Sequence, residues 1–329
     1  MKRLSSESPL KNERYLKSEK LFFDSSKLFA AQITELLDFV WPTATAMWNL
    51  RWQVNGYLEA RDETITVEEL FSKFGSDNKI VRANLFRACV YSTWDEQQEQ
   101  FARFLLINAF AYFECWVSEI LSNLGISNKQ TLEKQLQKPS NHPEKGVLEA
   151  LKTLKPSESK VLKSTFYPVF TQNEKYSIFE LNNLLICYRY FKESRNAIIH
   201  RGGRTDIILE SASIRFDSLR NVDLKAKEKP AYFSFSIGDP VRLNIRGVIG
   251  FLDIMLKIVS TLDAEILCSS LAEPILLSKW KKFVGIRSVK KLHPHRHNKL
   301  CSLAKTCSLP KPTSTIDLEE WLVQNNLIN

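Results

Sequence analysis

Glycine is scarce in this 329-residue chain, with ten residues, and long apolar runs are missing. Few glycines beside many Leu, Lys, Glu and Ala disfavour a turn-rich β fold and favour helices. No run of about 18 apolar residues indicates a membrane span, and no apolar segment follows Met1, Lys2 and Arg3 as in a signal peptide. We therefore expect a mainly α-helical protein of the reducing cytoplasm, with no membrane partner.

Closely spaced cysteine pairs are also lacking, because none of the six cysteines shows a C-x2-C spacing. The alternating His293, His295 and His297, followed by Cys301 and Cys307, differ in spacing from the ligands of common zinc fingers. The sequence therefore predicts no metal site and no cofactor.

Acidic residues are absent from residues 279–305, which contain nine Lys or Arg residues. The formal net charge of the chain is +9, and such an excess favours polyanion partners, of which RNA is the predicted one. Trp280 and Phe283 lie among these charges, where they could stack on bases. A solvated face is the alternative explanation of the segment. Four lysines in it are predicted to contact the RNA backbone: Lys281, Lys282, Lys290 and Lys291.

The apolar pattern predicts three parts. Residues 1–94 form an N-terminal helical extension, in which Pro42 separates two helices. Residues 95–272 form a helical core, and residues 273–329 form a basic C-terminal appendage. Within the core, partial alternation of apolar and polar residues over 205–239 predicts a small β-hairpin.

Two central helices give the strongest signal in the core. Residues 95–124 are apolar nearly all round in the middle of the helix, which places that helix at the centre of a bundle. Glu114 is one of two polar residues that interrupt it. Residues 177–200 form the second helix, which Gly202 and Gly203 are expected to end.

Five polar residues cluster at the end of that second helix: Arg195, Asn196, His200, Arg201 and Arg204. Asn196 and His200 are four residues apart and share a helix face, and the long side chain of Arg195 can reach the same end. This set suits metal-free RNA cleavage, because an imidazole can transfer the protons and fixed guanidinium groups can stabilise the charge that develops on phosphorus. The RNA would attack itself, leaving 2′,3′-cyclic phosphate and 5′-hydroxyl ends.

A structural explanation covers the same residues. His and Arg side chains near a helix C-terminus favour the helix dipole and bond its last carbonyl groups without any catalytic role. Glu114 equally suits a buried carboxylate with a purely structural partner.

Arg195 and Asn196, followed by three residues and His200 at the end of an apolar helix, resemble the R-x4-6-H motif of the HEPN family. Residues 104–121, with Glu114 on a densely apolar background, resemble the first core helix of that family. The likeness covers roughly residues 95–270, and its specific part is these two helices. HEPN protomers pair so that their Arg and His motifs meet in one cleft, and many members are ribonucleases of toxin–antitoxin and antiviral systems.

The resemblance implies an antiparallel helical bundle and a homodimeric, metal-independent endoribonuclease that acts as a toxin-like effector against phage or plasmids. His200 is then the general acid or base, Arg195 stabilises the phosphorane, and Asn196 positions the phosphate or the imidazole. Arg201 and Arg204 hold the RNA backbone, and Glu114 supports Arg195.

An antitoxin or another defence-system protein is a further expected partner. Two alternatives remain open. The first is a HEPN-like module that binds RNA or nucleotides without cleaving them. The second is a nucleic-acid-binding subunit of a larger defence complex.

Overall fold

The computed structural model of the protein describes residues 20–61, 64–75, 84–126, 129–137, 146–286 and 295–328. The predicted mainly α-helical class is confirmed. In the described ranges the helices are α1 (Asp24–Glu59), α2 (Val67–Phe74), α3 (Trp94–Asn123), α4 (Lys129–Gln137), α5 (Val147–Leu154), α6 (Lys160–Thr165), α7 (Tyr167–Phe170), α8 (Leu181–His200), α9 (Ile207–Asp217), α10 (Ile245–Leu267), α11 (Glu273–Phe283), α12 (Arg296–Thr306) and α13 (Thr315–Gln324). A π-helical turn (Arg87–Tyr91) and two 3-10 turns (Val222–Leu224 and Ser270–Ala272) complete the helical elements of those ranges.

The chain divides into two compact units. The first unit comprises Met1–Thr34, Tyr112–Tyr188 and Asp253–Asn329, and the second comprises Glu35–Ala111 and Arg189–Leu252. Four long helices, α1, α3, α8 and α10, contribute one end to each unit. The units are therefore discontinuous in sequence, unlike the three consecutive parts predicted above, and residues 273–329 fall in the same unit as the end of α10.

Pro42 does not separate two helices, because α1 is continuous from Asp24 to Glu59 with Pro42 inside it. Proline removes one backbone donor, which usually breaks a helix interior. Here the next turn supplies extra bonds, since the hydroxyl of Thr43 donates to the carbonyl of Phe39 at 2.7 Å. The prediction of two helices in this segment is wrong.

The predicted β-hairpin over residues 205–239 is also wrong, because Ile207–Asp217 form α9. Asp206 is the N-cap, and its carboxylate accepts the amide of Leu209 at 2.9 Å. Within the described residues, extended backbone pairs only as isolated bridges. The buried residues of α9 have helical spacing, which outweighs the local alternation of Ile214 and Phe216: Leu209, Ala212, Ser213 and Phe216.

An aromatic cluster in the second unit holds the end of α8. The ring of Tyr190 stacks on Phe216 at 5.0 Å and on Phe235 at 6.1 Å between centroids. Phe191 stacks on Phe251 of α10 at 4.4 Å. Aromatic pairs at such distances add to the free energy gained from apolar burial. The cluster therefore holds α8 in place one turn before the predicted site residues Arg195 and Asn196.

Helix α10 approaches the segment before Phe233 unusually closely. A Cβ atom added at Gly247 would lie 1.8 Å from the carbonyl oxygen of Ala231, and one at Gly250 would lie 3.3 Å from the ring of Pro230. The missing side chains thus let residues 230–231 pack directly on the helix. This contact positions the residues that follow, Tyr232 to Phe235, beside the aromatic cluster.

The core of the first unit contains two carboxylates of α10. Asp263 is fully buried and accepts the backbone amides of Phe22 at 2.8 Å and Phe23 at 3.1 Å, just before α1. Glu265 accepts hydrogen bonds from Tyr167, Tyr176 and Lys155, each at 2.8 Å. Buried carboxylates require such partners, so both groups fix which segments pack against α10.

The C-terminal helices belong to the core of the first unit. Trp280 of α11 is fully buried, so the prediction that it stacks on bases is wrong. Leu303 of α12 and Leu318 and Trp321 of α13 are buried too, and Ser314 caps α13 by accepting the amide of Asp317. Burial of this apolar area explains why a Lys-rich segment is folded.

Helix α3 is long and apolar enough to cross a membrane by length and composition, with a mean hydropathy of 1.4 over its most apolar 18 residues. That corrects the expectation that no segment reaches this level. Half of that window is buried within the structure, and the core helix of a soluble protein passes the same test. The helix is therefore weak support for a membrane partner.

Asp263 predicts a specific pH dependence of stability. Burial raises the pKa of Asp263 to about 6 from 3.8, although the amides of Phe22 and Phe23 oppose that shift. The folded protein thus binds this proton more tightly than the unfolded chain does. Stability from this group is fully present below pH 3.8 and is lost as the pH rises through about 6. We expect Asp263→Asn to remove that loss, which amounts to about 3 kcal/mol between roughly pH 4 and pH 7.

Urea unfolding of wild type and Asp263→Asn across this pH range measures the effect. Asp253→Asn is the control, because Lys175 and Lys257 outweigh burial and lower the pKa of Asp253 below its ordinary value. Its difference from wild type should stay flat over the same range. Parallel stability curves for wild type and Asp263→Asn would contradict the prediction.

Candidate functional site

Helix α8 ends where the sequence predicts, because two glycines reverse the chain after it. Gly202 has φ +60 and Gly203 has φ +71, a left-handed conformation that side chains with a Cβ atom disfavour. The amides of Arg201 and Gly203 both donate to the carbonyl of Ala197, at 3.0 and 2.9 Å. These bonds satisfy the carbonyl of Ala197 without any side chain, and the last two residues of α8, Ile199 and His200, are exposed.

Arg195, Asn196 and His200 lie in the last turns of α8, within the second unit. Nη1 of Arg195 donates to Oδ1 of Asn196 at 3.2 Å, so the guanidinium group curls toward its neighbour. Both residues are half-buried, whereas His200, one turn after Asn196, is exposed. The structure thus brings a guanidinium and a carboxamide together on a face that continues to an accessible imidazole.

Arg201 is held by two carboxylates. Its guanidinium lies 3.3 Å from Oε2 of Glu193 and 2.8 Å from Oδ2 of Asp206. All three side chains are one third exposed or less, so the pairing is only partly screened by water. This arrangement neutralises much of the charge of Arg201 and connects α8 to the start of α9.

Arg204 lies on a short pairing of two loops. The amide of Thr205 donates to the carbonyl of Asp239 at 2.9 Å, and the amide of Gly238 donates back to Thr205 at 2.9 Å. Nη1 of Arg204 donates to the carbonyl of Gly238 at 3.1 Å, and the residue is exposed. Its positive charge is therefore fixed in place and faces solvent beside the end of α8.

The surface around these charges is also apolar. Ile199 precedes His200, and Ile207 and Ile208 follow Asp206, the partner of Arg201. Their exposed fractions are 41%, 68% and 41%. Exposed apolar side chains that cluster beside a polar site are typical of surfaces that bind a partner.

Glu114 and Arg195 belong to different units, the first and the second respectively. Glu114 is half-buried on α3. Its predicted support of Arg195 stays a prediction.

None of the four lysines predicted to contact RNA is described in the second unit, where the end of α8 lies. Lys281 and Lys282 are exposed on α11 in the first unit, and Nζ of Lys282 lies 5.2 Å from the ring centroid of Phe283. Lys290 and Lys291 lie outside the described residues. Their contribution to RNA binding stays a prediction.

Two of the residues whose spacing was compared with zinc-finger ligands, His297 and Cys301, are in contact on α12. Nε2 of His297 lies 3.8 Å from Sγ of Cys301, and its Nδ1 lies 2.7 Å from the hydroxyl of Thr315. No group of three or more His, Cys, Asp or Glu residues that could hold a metal occurs among the residues described. His293 lies outside them.

Sequence reasoning missed Glu193 and Asp206. Asp206 had a usable signal, because an Asp before an apolar run is a typical N-cap and would have predicted α9. Glu193 had none, since it is eight residues before Arg201 and exceeds the spacing at which helix neighbours pair.

No family model matches the sequence, and no curated protein or solved structure matches the chain.

The double role of Asp206 gives a test of how the site is held. Asp206→Ala should lower the free energy of unfolding by about 1–2 kcal/mol, because α9 loses its N-cap and Arg201 loses a partner. Asp206→Ser keeps a capping oxygen and removes only the charge, so its loss should be less than half as large. Urea unfolding measures both values. An equal loss in the two variants would show that the ion pair, not the cap, stabilises this corner.

Proposed function

We propose that this protein is a metal-independent endoribonuclease that cleaves RNA at the exposed end of α8. The observation that supports the proposal most is the hydrogen bond between Arg195 and Asn196 beside the accessible His200. It places an oriented cation next to a group that can transfer protons near neutral pH. The resemblance of these residues to the HEPN motif adds to this argument. On the same basis we propose that the helices form a HEPN-like bundle.

In the proposed reaction an imidazole accepts the proton of the ribose 2′-hydroxyl. The 2′-oxygen bonds to phosphorus, the bond from phosphorus to the 5′-oxygen breaks, and that oxygen takes a proton. Arg195 stabilises the negative charge on the equatorial oxygens, because its guanidinium is held by Asn196. The products have 2′,3′-cyclic phosphate and 5′-hydroxyl ends.

Arg201 and Arg204 differ in how available they are to RNA. The carboxylates of Glu193 and Asp206 compete with a phosphate for Arg201. Arg204 is exposed, and within the described residues its guanidinium bonds the carbonyl of Gly238 and pairs with no carboxylate. We therefore expect Arg204 to make the larger contact with the RNA backbone.

We propose RNA as substrate, a second copy of the chain as partner, and the cytoplasm as location. A toxin-like role in defence, controlled by an antitoxin or another defence-system protein, fits such an activity. The competing function is a module that binds RNA without cleaving it. The same side chains would then contact phosphate, with no proton transfer, and the chemistry of the RNA ends separates the two.

The central test uses total RNA in EDTA with wild type, His200→Ala and His297→Ala. Wild type should produce fragments with cyclic phosphate ends, and His200→Ala should be slower by about 10²-fold or more, because an acid or base is lost. His297→Ala is the matched control, since it removes another exposed histidine from α12. Cells that express wild type or His297→Ala should grow more slowly than cells that express His200→Ala.

A folded His200→Ala protein as active as wild type would refute the catalytic role. If wild type binds RNA without cutting it, the binding module replaces the nuclease as the conclusion.

The second copy is tested by charging the apolar surface beside His200. Ile207→Lys should shift the sedimentation of the protein toward the monomer and reduce cleavage, because a buried ammonium group is costly at an interface. Val222→Lys is the control, with 69% of Val222 exposed in the same unit. Equal sedimentation of wild type and Ile207→Lys would place any dimer contact elsewhere.

A further inference from the structure

The first unit contains a cavity that the proposed nuclease reaction does not use. Its volume is about 770 Å³, which lies in the range of small-molecule sites. Its walls come from the start of α1, from α11, from α12 and from the turn that follows α12. The side chains that matter below are Asp24, Lys27, Lys279, Phe283, Lys305 and Lys311.

The cavity has an excess of positive charge. Four lysines line it and face one carboxylate, that of Asp24. Nζ of Lys279 lies 2.5 Å from Oδ1 of Asp24, and Nζ of Lys27 lies 3.3 Å from the same oxygen. One carboxylate therefore serves two of the four ammonium groups.

Lys279 is an internal part of the wall. Its side chain is 8% exposed, and its Nζ lies 5.5 Å from the ring centroid of Phe22. Burial lowers the pKa of Lys279, and the hydrogen bond with Asp24 opposes that shift. Lys279 therefore adds a positive charge to the wall, which the carboxylate of Asp24 partly offsets.

Lys305 and Lys311 supply charge that the protein leaves uncompensated. Both residues are exposed, and neither has a carboxylate at ion-pair distance in the part of the chain that the structure describes. Lys305 lies in the last turn of α12, where the amides of Ser308 and Leu309 already bond the carbonyl groups of Lys305 and Ala304. The two ammonium groups are thus free to bind an anion.

Phe283 adds a flat apolar surface to the same cavity. Its side chain is 47% exposed, and the ammonium group of Lys282 lies 5.2 Å from the ring centroid. An exposed ring beside cations is the surface on which nucleobases stack.

We propose that this cavity binds a nucleotide, with a phosphate group between Lys305 and Lys311 and the base on the ring of Phe283. The nucleotide is either a free one or one residue of an RNA strand, since the recognised chemistry is the same. The inference does not require the chain to be a nuclease.

The test measures binding of ATP, inorganic pyrophosphate and a single-stranded ten-nucleotide RNA by calorimetry. All proteins carry His200→Ala, so that the RNA is not consumed. Lys305→Gln with Lys311→Gln should weaken at least one ligand by about tenfold or more. Lys160→Gln with Lys299→Gln is the control, because it removes the same charge from exposed residues that lie outside the cavity and are not predicted to contact RNA. Equal thermal midpoints confirm that all proteins are folded.

The three ligands separate the two sources. Loss of ATP and pyrophosphate binding identifies a free nucleotide, and Phe283→Ala should then weaken ATP but not pyrophosphate. Loss confined to RNA identifies a strand, and the slope of log affinity against log salt should fall by about 1.4 for two lysines. The proposal is overturned if the protein that carries His200→Ala alone binds none of the ligands, or if both double variants bind them equally.

Failure here leaves the RNA cleavage test with His200 untouched, because that test uses a different unit and a different readout.

Discussion

The phenol of Tyr190 connects the elements on which the candidate site depends. Its hydroxyl donates to the carbonyl of Phe233 at 2.9 Å and accepts the amide of the same residue at 3.2 Å. Its ring stacks on Phe216 of α9 and on Phe235. One buried side chain therefore satisfies both backbone groups of an irregular segment and packs it against two helices. The chain continues from that segment to residues 238–241, whose backbone pairs with residues 203–205 beside Arg204.

The charges of the described residues fall into two classes. Buried ions have specific partners, as Asp263 has two amides and Glu265 has a lysine and two tyrosines. Such pairing offsets the cost of removing a charge from water. Other cations, such as Arg204 and Lys305, are exposed and pair with no carboxylate within the described residues. Cations without a carboxylate partner are the ones to which an anion binds most favourably. Such cations occur at both sites proposed above.

Local signals in the sequence predicted local structure well. The helix predicted over residues 95–124 is α3 (Trp94–Asn123), and α8 stops before Gly202 as expected. Each of these signals acts within a few residues of its effect. The end of α8 was predicted for the same reason, since its residues are neighbours in sequence.

Predictions failed where distant residues decide the outcome. Pro42 stays inside the continuous helix α1, and Trp280 of α11 is fully buried. Neither fact can be read from the nearest residues. The cavity was missed because Lys27 and Lys305 are far apart in sequence.

The discontinuous units have a consequence for the order in which the chain is synthesised. Every residue of the second unit has been made once Leu252 is added, whereas the first unit lacks α13 until the ribosome reaches Gln324. Because nascent chains fold from the N-terminal side, the end of α8 has all its neighbours before the cavity has its walls. A chain cut short by a stop codon between Leu252 and Lys279 would therefore keep the residues of the candidate RNA site and lose the cavity residues that follow Lys27.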